Sequence, residues 1–212
     1  MVLNNLMKEI VIPHEVIYEF FIDPEIVNSY LEKIKNSPIV YESIRGTEQI
    51  QWLKIGYPIP YNKKLFDILD KSLNQVGAAI TDKPINLSIC DAWITCAGFG
   101  AQSAVHNHTF SLLSGLLYLD DSKTVTEFYY KSEFLKRNEN LFFTQENKKI
   151  QIKPEKGKLI IWPSYIQHKA TVHKEIEQRY TLAFNSFING VASSIKTSSL
   201  TCATHSPKYL EE

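Results

Sequence analysis

The part of the chain after Gly77 consists of short β-rich segments separated by turns, and this pattern limits the fold more than any other feature. The segments are INLSICDAWITCAGFG, LLSGLLYLDD, TVTEFYY, KKIQIKPEKG, GKLIIWPSYIQHKA and RYTLAFNSFI. Their β-branched and aromatic residues are typical of strands, and turns at such short intervals are typical of a sandwich or barrel. We therefore predict an α+β protein with an all-β core.

The first third of the chain differs from this core, because its apolar residues recur at helix-like spacing. HEVIYEFFIDPEIVNSYLEKIKNS, interrupted at Pro24, and YNKKLFDILDKSLNQVG, which Gly77 can end, are predicted as helices that cover one face of the sheet. We divide the single domain into a mainly helical support region (1–77), a core (78–190) and a Ser/Thr-rich extension (191–212).

Charge and cysteine content argue against several partners. Lys plus Arg and Asp plus Glu are both 23, so the formal net charge is zero, which makes nucleic acid or an acidic membrane an unfavoured partner. The first residues, MVLNNLMKEIVIPHEVIYEF, do not show an n-region and h-region of secretory type, and no apolar run reaches membrane-spanning length, so we expect neither secretion nor membrane insertion. Three cysteines without C-x-x-C spacing indicate reduced thiols, so we predict a cytoplasmic protein.

Three of the six histidines suggest a metal site. His106 and His108 share one face of an extended segment, because side chains alternate along a strand. His168 follows Pro163 and enters the next strand, and strands that are distant in sequence face each other in a rolled sheet. Three neutral imidazoles could then converge on Fe(II), Zn(II), Cu(II) or Ni(II). The other histidines are given no role: His14, His173 and His205.

Strand RYTLAFN has one polar and one apolar face. The apolar face is predicted to pack against the helices, whereas Arg179, Thr181, Ala183 and Asn185 share the other. A buried guanidinium needs an anion, so Arg179 with the Thr181 hydroxyl is predicted to bind a carboxylate near His168. The alternative is an internal ion pair with Asp or Glu.

The strand after the histidine pair offers hydroxyl groups to the same cavity. Ser114 and Tyr118 share a face and could donate hydrogen bonds into it, although Tyr118 could equally be a core aromatic residue bonded to the backbone. Trp93 and Trp162 are expected either to shield the site from water or to pack in the core.

Taken together, HNHTFSLLSGLLYL, GKLIIWPSYIQH and RYTLAFN resemble the 2-oxoglutarate/Fe(II)-dependent oxygenases. The resemblance is closest to a branch common in phages and marine bacteria that is related to prolyl hydroxylases. It extends over about Asp91 to Asn189. Trp162 stands where the branch usually has Phe, and Thr181 where it usually has Ser.

This resemblance implies a double-stranded β-helix, or jelly roll, and an enzyme that hydroxylates a C–H bond of a peptidyl or small-molecule substrate. Fe(II) would be bound by His106, His108 and His168, and O2 and 2-oxoglutarate would be consumed with release of succinate and CO2. Arg179 and Thr181 would bind the distal carboxylate of 2-oxoglutarate. Tyr118, Ser114 and Asn185 are assigned to the cosubstrate site as well. A phage protein would act in the host cytoplasm, and a homodimer is kept open.

One position departs from the wider superfamily, whose ligands are two histidines and a carboxylate in the order H-x-D/E…H. Residue 108 is histidine, so either His108 is the second ligand or Asp120 or Asp121 supplies the carboxylate. Two alternatives stay open. The first is a cupin-like three-histidine metalloenzyme that does not use 2-oxoglutarate, and the second is a non-catalytic jelly-roll binding module.

Overall fold

The structure is a computed structural model that describes residues 8–12, 15–37, 41–44, 47–53, 59–81, 84–130, 148–191, 201–202 and 209–210. His14 and His205, and most of the predicted extension, lie outside these residues. The helices are α1 (Pro24–Asn36) and α2 (Lys63–Thr81). The strands are β1 (Lys8–Ile12), β2 (Glu15–Phe21), β3 (Tyr41–Ile44), β4 (Thr47–Leu53), β5 (Ile59–Pro60), β6 (Leu87–Ala97), β7 (Leu113–Tyr118), β8 (Thr126–Tyr130), β9 (Lys148–Ile152), β10 (Lys158–Pro163), β11 (Gln167–Ala170), β12 (Arg179–Ile188), β13 (Gly190–Val191), β14 (Thr201–Cys202) and β15 (Tyr209–Leu210).

Two antiparallel sheets form the body of the fold. The main sheet has eight strands in the order β1-β2-β10-β7-β12-β6-β4-β3, and the second sheet has three in the order β11-β8-β9. Two short pairs, β13 with β14 and β15 with β5, complete the strand pairing. All six segments predicted as strands form strands, so the prediction of an all-β core is confirmed.

The main sheet is covered on both faces by apolar side chains. One face packs against the helices, in a cluster that includes Leu69 of α2, Leu117 of β7 and Phe184 of β12. The other face packs towards the second sheet through Tyr118, Phe128, Trp162 and their neighbours. The helices therefore cover one face, as predicted, and the space between the sheets is left for a site.

Local sequence explains how α1 begins. Pro24 occupies its first turn, and the Asp23 carboxylate accepts a hydrogen bond of 2.9 Å from the Glu25 amide. Neither helix in the described part of the chain combines the length and the apolar character that a membrane-spanning segment needs.

Two helix predictions were wrong. Glu15–Phe21, predicted as helical, is strand β2. Ile17 packs towards the second sheet while Tyr18 and Phe20 pack towards the helices, and a run that is apolar on both sides has no periodicity to separate strand from helix. Gly77 does not end α2, which continues to Thr81. A Cβ at Gly77 would lie 2.6 Å from the Ile85 side chain, so glycine permits close packing there.

The region 1–77 supplies four strands of the main sheet, β1 to β4, in addition to helix α1 and most of α2. These strands lie at the two ends of the sheet, β1 and β2 beside β10, and β3 and β4 beside β6. The N-terminal region therefore widens the sheet that carries the site as well as covering it. Our division into 1–77, 78–190 and 191–212 stays a prediction.

Candidate metal centre

A cavity of about 90 Å³ lies between the main sheet and the second sheet. Its lining contains five residues that the sequence singled out for a metal or a carboxylate: His106, His108, His168, Arg179 and Thr181. Trp93 and Trp162 line it as well, which agrees with their expected shielding role. The fold therefore brings together residues that are more than seventy positions apart in the chain.

Backbone pairing holds the three histidines in place. His106 and His168 form an isolated antiparallel bridge, with N–H to O distances of 3.0 and 2.8 Å. The His108 amide donates to the Ser164 carbonyl at 2.9 Å. The ligand atoms of the three imidazoles lie within 4.8 Å of one another, so the predicted histidine group exists in the folded protein.

Main-chain carbonyls fix two of the three ring tautomers. His106 Nδ1 lies 2.8 Å from the Ala104 oxygen, and His168 Nδ1 lies 3.0 Å from the Ile166 oxygen. A carbonyl only accepts, so each Nδ1 carries the proton and each Nε2 keeps a free lone pair. His108 Nε2 is 3.2 Å from His168 Nε2, and two adjacent ligands with metal bonds of about 2.1 Å would be about 3 Å apart. The donor set therefore fits a divalent transition metal.

The imidazoles of His108 and His168 are neutral at physiological pH. Burial, followed by the charge of His106, lowers the pKa of His168 to about 3 and that of His108 to about 4. Trp93 stacks on His108 with ring centroids 5.5 Å apart, and Phe128 stacks on His168 at 5.7 Å. These rings exclude water from the lone pairs that a metal would use.

Two buried neutral imidazoles should make the metal-free protein acid-sensitive. The pKa values of His168 and His108, about 3 and about 4, lie below the ordinary 6.5, so the unfolded chain takes up protons first as the pH falls. Their contribution to stability is complete above pH 6.5 and is lost towards pH 3. Burial raises the pKa of Asp120 to about 6, and this acts in the opposite direction.

We therefore expect the free energy of unfolding to fall by about 1 kcal/mol per pH unit between pH 6 and pH 4. Urea unfolding at several pH values measures this slope. In a His168→Asn variant the slope should be smaller by about 1 kcal/mol per pH unit, because one of the two buried neutral imidazoles is gone. An equal slope in both proteins would contradict the assignment.

Arg179 presents a buried charge without a protein anion. Its side chain lines the cavity, the residue is 6 % exposed, and neither Nε nor Nη1 has a hydrogen-bond partner. Burial lowers the Arg179 pKa, whereas Tyr118 and Asp120 raise it. Within the residues that the structure describes, no Asp or Glu forms an ion pair with it, so the alternative of an internal ion pair is not realised there.

The two aspartates considered as ligands are engaged elsewhere. Asp120 Oδ2 accepts a hydrogen bond of 2.6 Å from the Tyr180 amide, and Asp121 Oδ1 accepts one of 2.9 Å from the Lys156 amide. Neither belongs to the histidine group, which is the one cluster of potential ligands found in the described residues. Asp120 instead lies next to Arg179, and its Oδ1 is buried without a hydrogen bond.

Three residues assigned to the cosubstrate site lie behind the cavity wall rather than in its lining: Tyr118, Ser114 and Asn185. The Tyr118 hydroxyl is 2.6 Å from Thr126 Oγ1, and Ser114 Oγ donates to Asn185 Oδ1 at 2.8 Å. Thr181, by contrast, lines the cavity directly opposite Tyr118 in the sheet register. The cosubstrate contacts of these residues stay predictions.

His173, to which we assigned no role, is a buried residue of the cavity wall. Its Nε2 donates to the Glu177 carbonyl at 2.8 Å, and its Nδ1 lies 2.7 Å from Thr124 Oγ1. No sequence signal could identify it, because its position depends on pairing with the 98–112 loop, where the His173 amide donates to the Ala101 carbonyl at 2.7 Å.

Comparison with known proteins agrees with this geometry. Residues 91–185, 95 of the 212, match the sequence family described as "Putative 2OG-Fe(II) oxygenase". Among curated proteins, none matches the chain in sequence.

Three solved structures share the fold. The α-ketoglutarate-dependent epimerase SnoN from nogalamycin biosynthesis has a TM-score of 0.60 at 12% identity, covering 90% of this chain and 89% of its own. HygX from Streptomyces hygroscopicus, with nickel and 2-oxoglutarate bound, has a TM-score of 0.54 at 13% identity, and the match covers 80% of this chain and 82% of HygX. A prolyl hydroxylase in complex with a hypoxia-inducible-factor peptide fragment from Trichoplax adhaerens has a TM-score of 0.52 at 14% identity, and the match covers 77% of each chain.

Residues 91–185 are thus similar in sequence to the 2-oxoglutarate/Fe(II)-dependent oxygenases and the chain shares their fold, so the resemblance read from the sequence is confirmed. The fold is the double-stranded β-helix, and the family match over residues 91–185 indicates an enzyme of this class. Fe(II) and 2-oxoglutarate are the cofactor and cosubstrate of the class, and the histidine group and the unpartnered guanidinium supply donors that suit them.

Proposed function

We propose that the protein hydroxylates a C–H bond of a peptidyl or small-molecule substrate. One atom of O2 would enter the substrate and the other would enter succinate, with CO2 leaving from 2-oxoglutarate. The observation that carries this proposal is the Arg179 guanidinium, which is buried in the same cavity as three imidazoles and whose Nε and Nη1 have no hydrogen-bond partner among the described residues. A metalloenzyme that used no diacid would have little reason to bury an unpaired positive charge there.

In this proposal the protein's own residues bind and orient. His106, His108 and His168 would hold the metal through neutral nitrogens, two of which are kept in the correct tautomer by carbonyls. Bound Fe(II) and 2-oxoglutarate supply the oxidising chemistry of the class. Because all three protein ligands are neutral, the anionic cosubstrate would provide most of the negative charge around the metal.

Arg179 would fix the far end of the cosubstrate. A guanidinium binds a carboxylate through two parallel N–H donors, either Nε with Nη2 or Nη1 with Nη2. Nε and Nη1 of Arg179 are both unbonded, so each of these two edges has a free donor. Thr181, two residues along the same face of β12 and 1 % exposed, could add a hydroxyl donor. Trp93 and Trp162 would keep water from the reacting centre.

The prolyl hydroxylase neighbour, whose solved complex contains a peptide fragment, supports a peptidyl substrate by analogy. SnoN is called an epimerase of nogalamycin biosynthesis and HygX has a solved structure with hygromycin B bound, so the same fold also serves small molecules. The cytoplasmic location, the phage origin and the homodimer expected from the sequence stay predictions.

A thermal-shift experiment with Mn(II) and N-oxalylglycine, an unreactive analogue of 2-oxoglutarate, tests this function. Both ligands bind the folded state, so at a hundred times their dissociation constants each should raise the melting temperature by about 5 to 10 °C. N-Oxalylglycine should act only when the metal is present. Succinate formation from 2-oxoglutarate with Fe(II) and O2 is the matching activity measurement.

The outcomes separate the alternatives. A shift with Mn(II) that N-oxalylglycine does not increase would favour the three-histidine enzyme that does not use 2-oxoglutarate. Absence of any shift would favour a binding module. Either result would overturn the proposal.

A further inference from the structure

Exposed apolar side chains are concentrated in loops close to the cavity in sequence. Seven of the nine large hydrophobic side chains that are exposed in the described residues lie in three loops, 98–112, 164–166 and 171–178. Each loop contains or adjoins residues of the cavity lining. We call six of these side chains the apolar rim: Phe99, Val105, Phe110, Tyr165, Val172 and Ile176.

The most exposed members are costly to leave in water. Phe110 is 96% exposed and Ile176 is 88% exposed, so nearly all of their apolar surface contacts solvent. Phe110 is also the one residue other than glycine with a positive φ, +62°, in the described parts of the chain. A large residue in the left-handed region carries backbone strain, and such strain is found preferentially at ligand-binding positions.

The rim is also free of charge over most of its length. Loops 98–112 and 164–166 contain no Asp, Glu, Lys or Arg in 18 residues, although charged residues make up 22% of the chain. The third loop differs, because it contains Lys174, Glu175 and Glu177, and the Glu175 carboxylate accepts hydrogen bonds from Ser122 and from the Lys123 amide. Over the 18 residues of the first two loops, an anionic or cationic ligand would find no complementary Lys, Arg, Asp or Glu side chain.

The rim extends to both sides of the histidines. Phe110 and Tyr165 lie at one end, where the Ser164 amide donates to the Leu112 carbonyl. Phe99 and Val172 lie at the other end, where the Gly100 amide donates to the His173 carbonyl. Tyr165 and Val172 are seven residues apart along the segment that contains β11, a separation on the order of 20 Å, which is about the length of six residues of extended peptide.

Uncharged hydrogen-bonding side chains are interleaved with the apolar ones. Gln102, Asn107 and Thr109 are exposed within the same 98–112 loop. Amide and hydroxyl groups match the N–H and C=O groups of a peptide backbone, whereas apolar side chains match those of the peptide residues. A hydrocarbon or lipid tail would leave these polar groups unused.

We propose that the apolar rim binds an extended, uncharged polypeptide segment rich in apolar side chains, which delivers its reacting residue to the histidine group. This inference rests on the proposed function, since it identifies the substrate as a peptidyl one. We assign the rim to the substrate rather than to a second copy of the chain, because two of its loops also carry residues that line the cavity in which the reacting group must lie.

A displayed random dodecapeptide library, selected on the protein loaded with Mn(II) and N-oxalylglycine, tests the proposal. We expect the enriched peptides to be uncharged and rich in aromatic and aliphatic residues, and to accelerate succinate formation by the Fe(II) enzyme. A double variant, Phe110→Asn with Ile176→Ser, should bind the synthetic peptides about 30-fold more weakly, because asparagine tolerates the left-handed backbone while removing the apolar ring.

Ile80→Ser is the matched control, because Ile80 is 46% exposed on α2, outside the rim loops, and its loss should leave peptide binding unchanged. The double variant should keep the melting-temperature rise caused by Mn(II) and N-oxalylglycine, so that failure of the rim and failure of the proposed function are distinguishable.

Enrichment of charged peptides, enrichment of none, or equal weakening in the Ile80 variant would overturn the proposal. Peptides that bind without accelerating succinate formation would also overturn it, as would binding of phosphatidylcholine vesicles instead of peptides.

Discussion

Replacing Arg179 by methionine is expected to abolish 2-oxoglutarate-dependent succinate formation while making the cosubstrate-free protein more stable. The guanidinium is buried, and within the described residues two of its nitrogens lack hydrogen-bond partners and no ion pair with it is formed, so its desolvation cost is only partly offset. Methionine has a similar length and no charge. We expect a gain of about 1 to 2 kcal/mol in the free energy of unfolding, measured in urea.

The same substitution removes the two donors that would hold the distal carboxylate. Loss of one member of a buried charge pair typically costs 2 to 5 kcal/mol, so cosubstrate affinity should fall about 100-fold or more. The rise in melting temperature with Mn(II) alone should persist, because Arg179 does not belong to the histidine group. The additional rise with N-oxalylglycine should disappear.

Lys169→Met is the control for the loss of one positive charge. Lys169 lies on β11 like His168, but its ammonium group is 3.7 Å from the Glu127 carboxylate and it is absent from the cavity lining. This variant should keep both ligand effects. If Arg179→Met instead destabilised the metal-free protein and left succinate formation intact, the guanidinium would be a structural group and the carboxylate site would be elsewhere.

The sequence predicted those parts of the site that depend on a local pattern. Alternation along RYTLAFN placed Arg179 and Thr181 on one face and Phe184 on the other, and the structure agrees. The H-x-H spacing placed two imidazoles together, and the turn at Pro163 placed His168 at the start of a strand. When one face of a strand is polar and the other is apolar, the sequence alone shows which face packs against the apolar core, because side chains alternate along the strand.

What the sequence could not give depends on contacts between distant segments. The carbonyls that fix the His106 and His168 tautomers, Ala104 and Ile166, are ordinary backbone groups whose orientation is set by the bridge between two loops. Asp120 could not be placed beside Arg179 without the register of β7 against β12. Strand β2 was missed because side chains on both of its faces are buried, which removes the alternation that a prediction requires.

Replacing His168 by asparagine is expected to remove metal binding. Two imidazoles would remain, and the missing one is the most buried of the three, with its Nε2 3.2 Å from that of His108. We expect the dissociation constant for Mn(II), measured by calorimetric titration, to rise about 100-fold or more. The effect on succinate formation should be at least as large, since no cosubstrate would be held without the metal.

His173→Asn is the matched control, because His173 is also a buried histidine of the cavity wall but does not belong to the ligand group. It should lose stability through its bonds to Thr124 and Glu177 and yet keep metal affinity. If His168→Asn still bound Mn(II), or if only His173→Asn failed to bind it, we would conclude that the metal binds in a different part of the cavity.

His108→Asp is the most informative further variant, because it introduces at the second ligand position the carboxylate that is usual in this class. In the metal-free protein a carboxylate would be buried beside uncharged imidazoles, so stability should fall. With Mn(II) bound, the anionic ligand should bind at least as tightly as histidine, and the rise in melting temperature should exceed that of the original protein. Such a result would place residue 108 in the metal's coordination sphere, whereas loss of metal from His108→Asp together with retention in His108→Ala would exclude it.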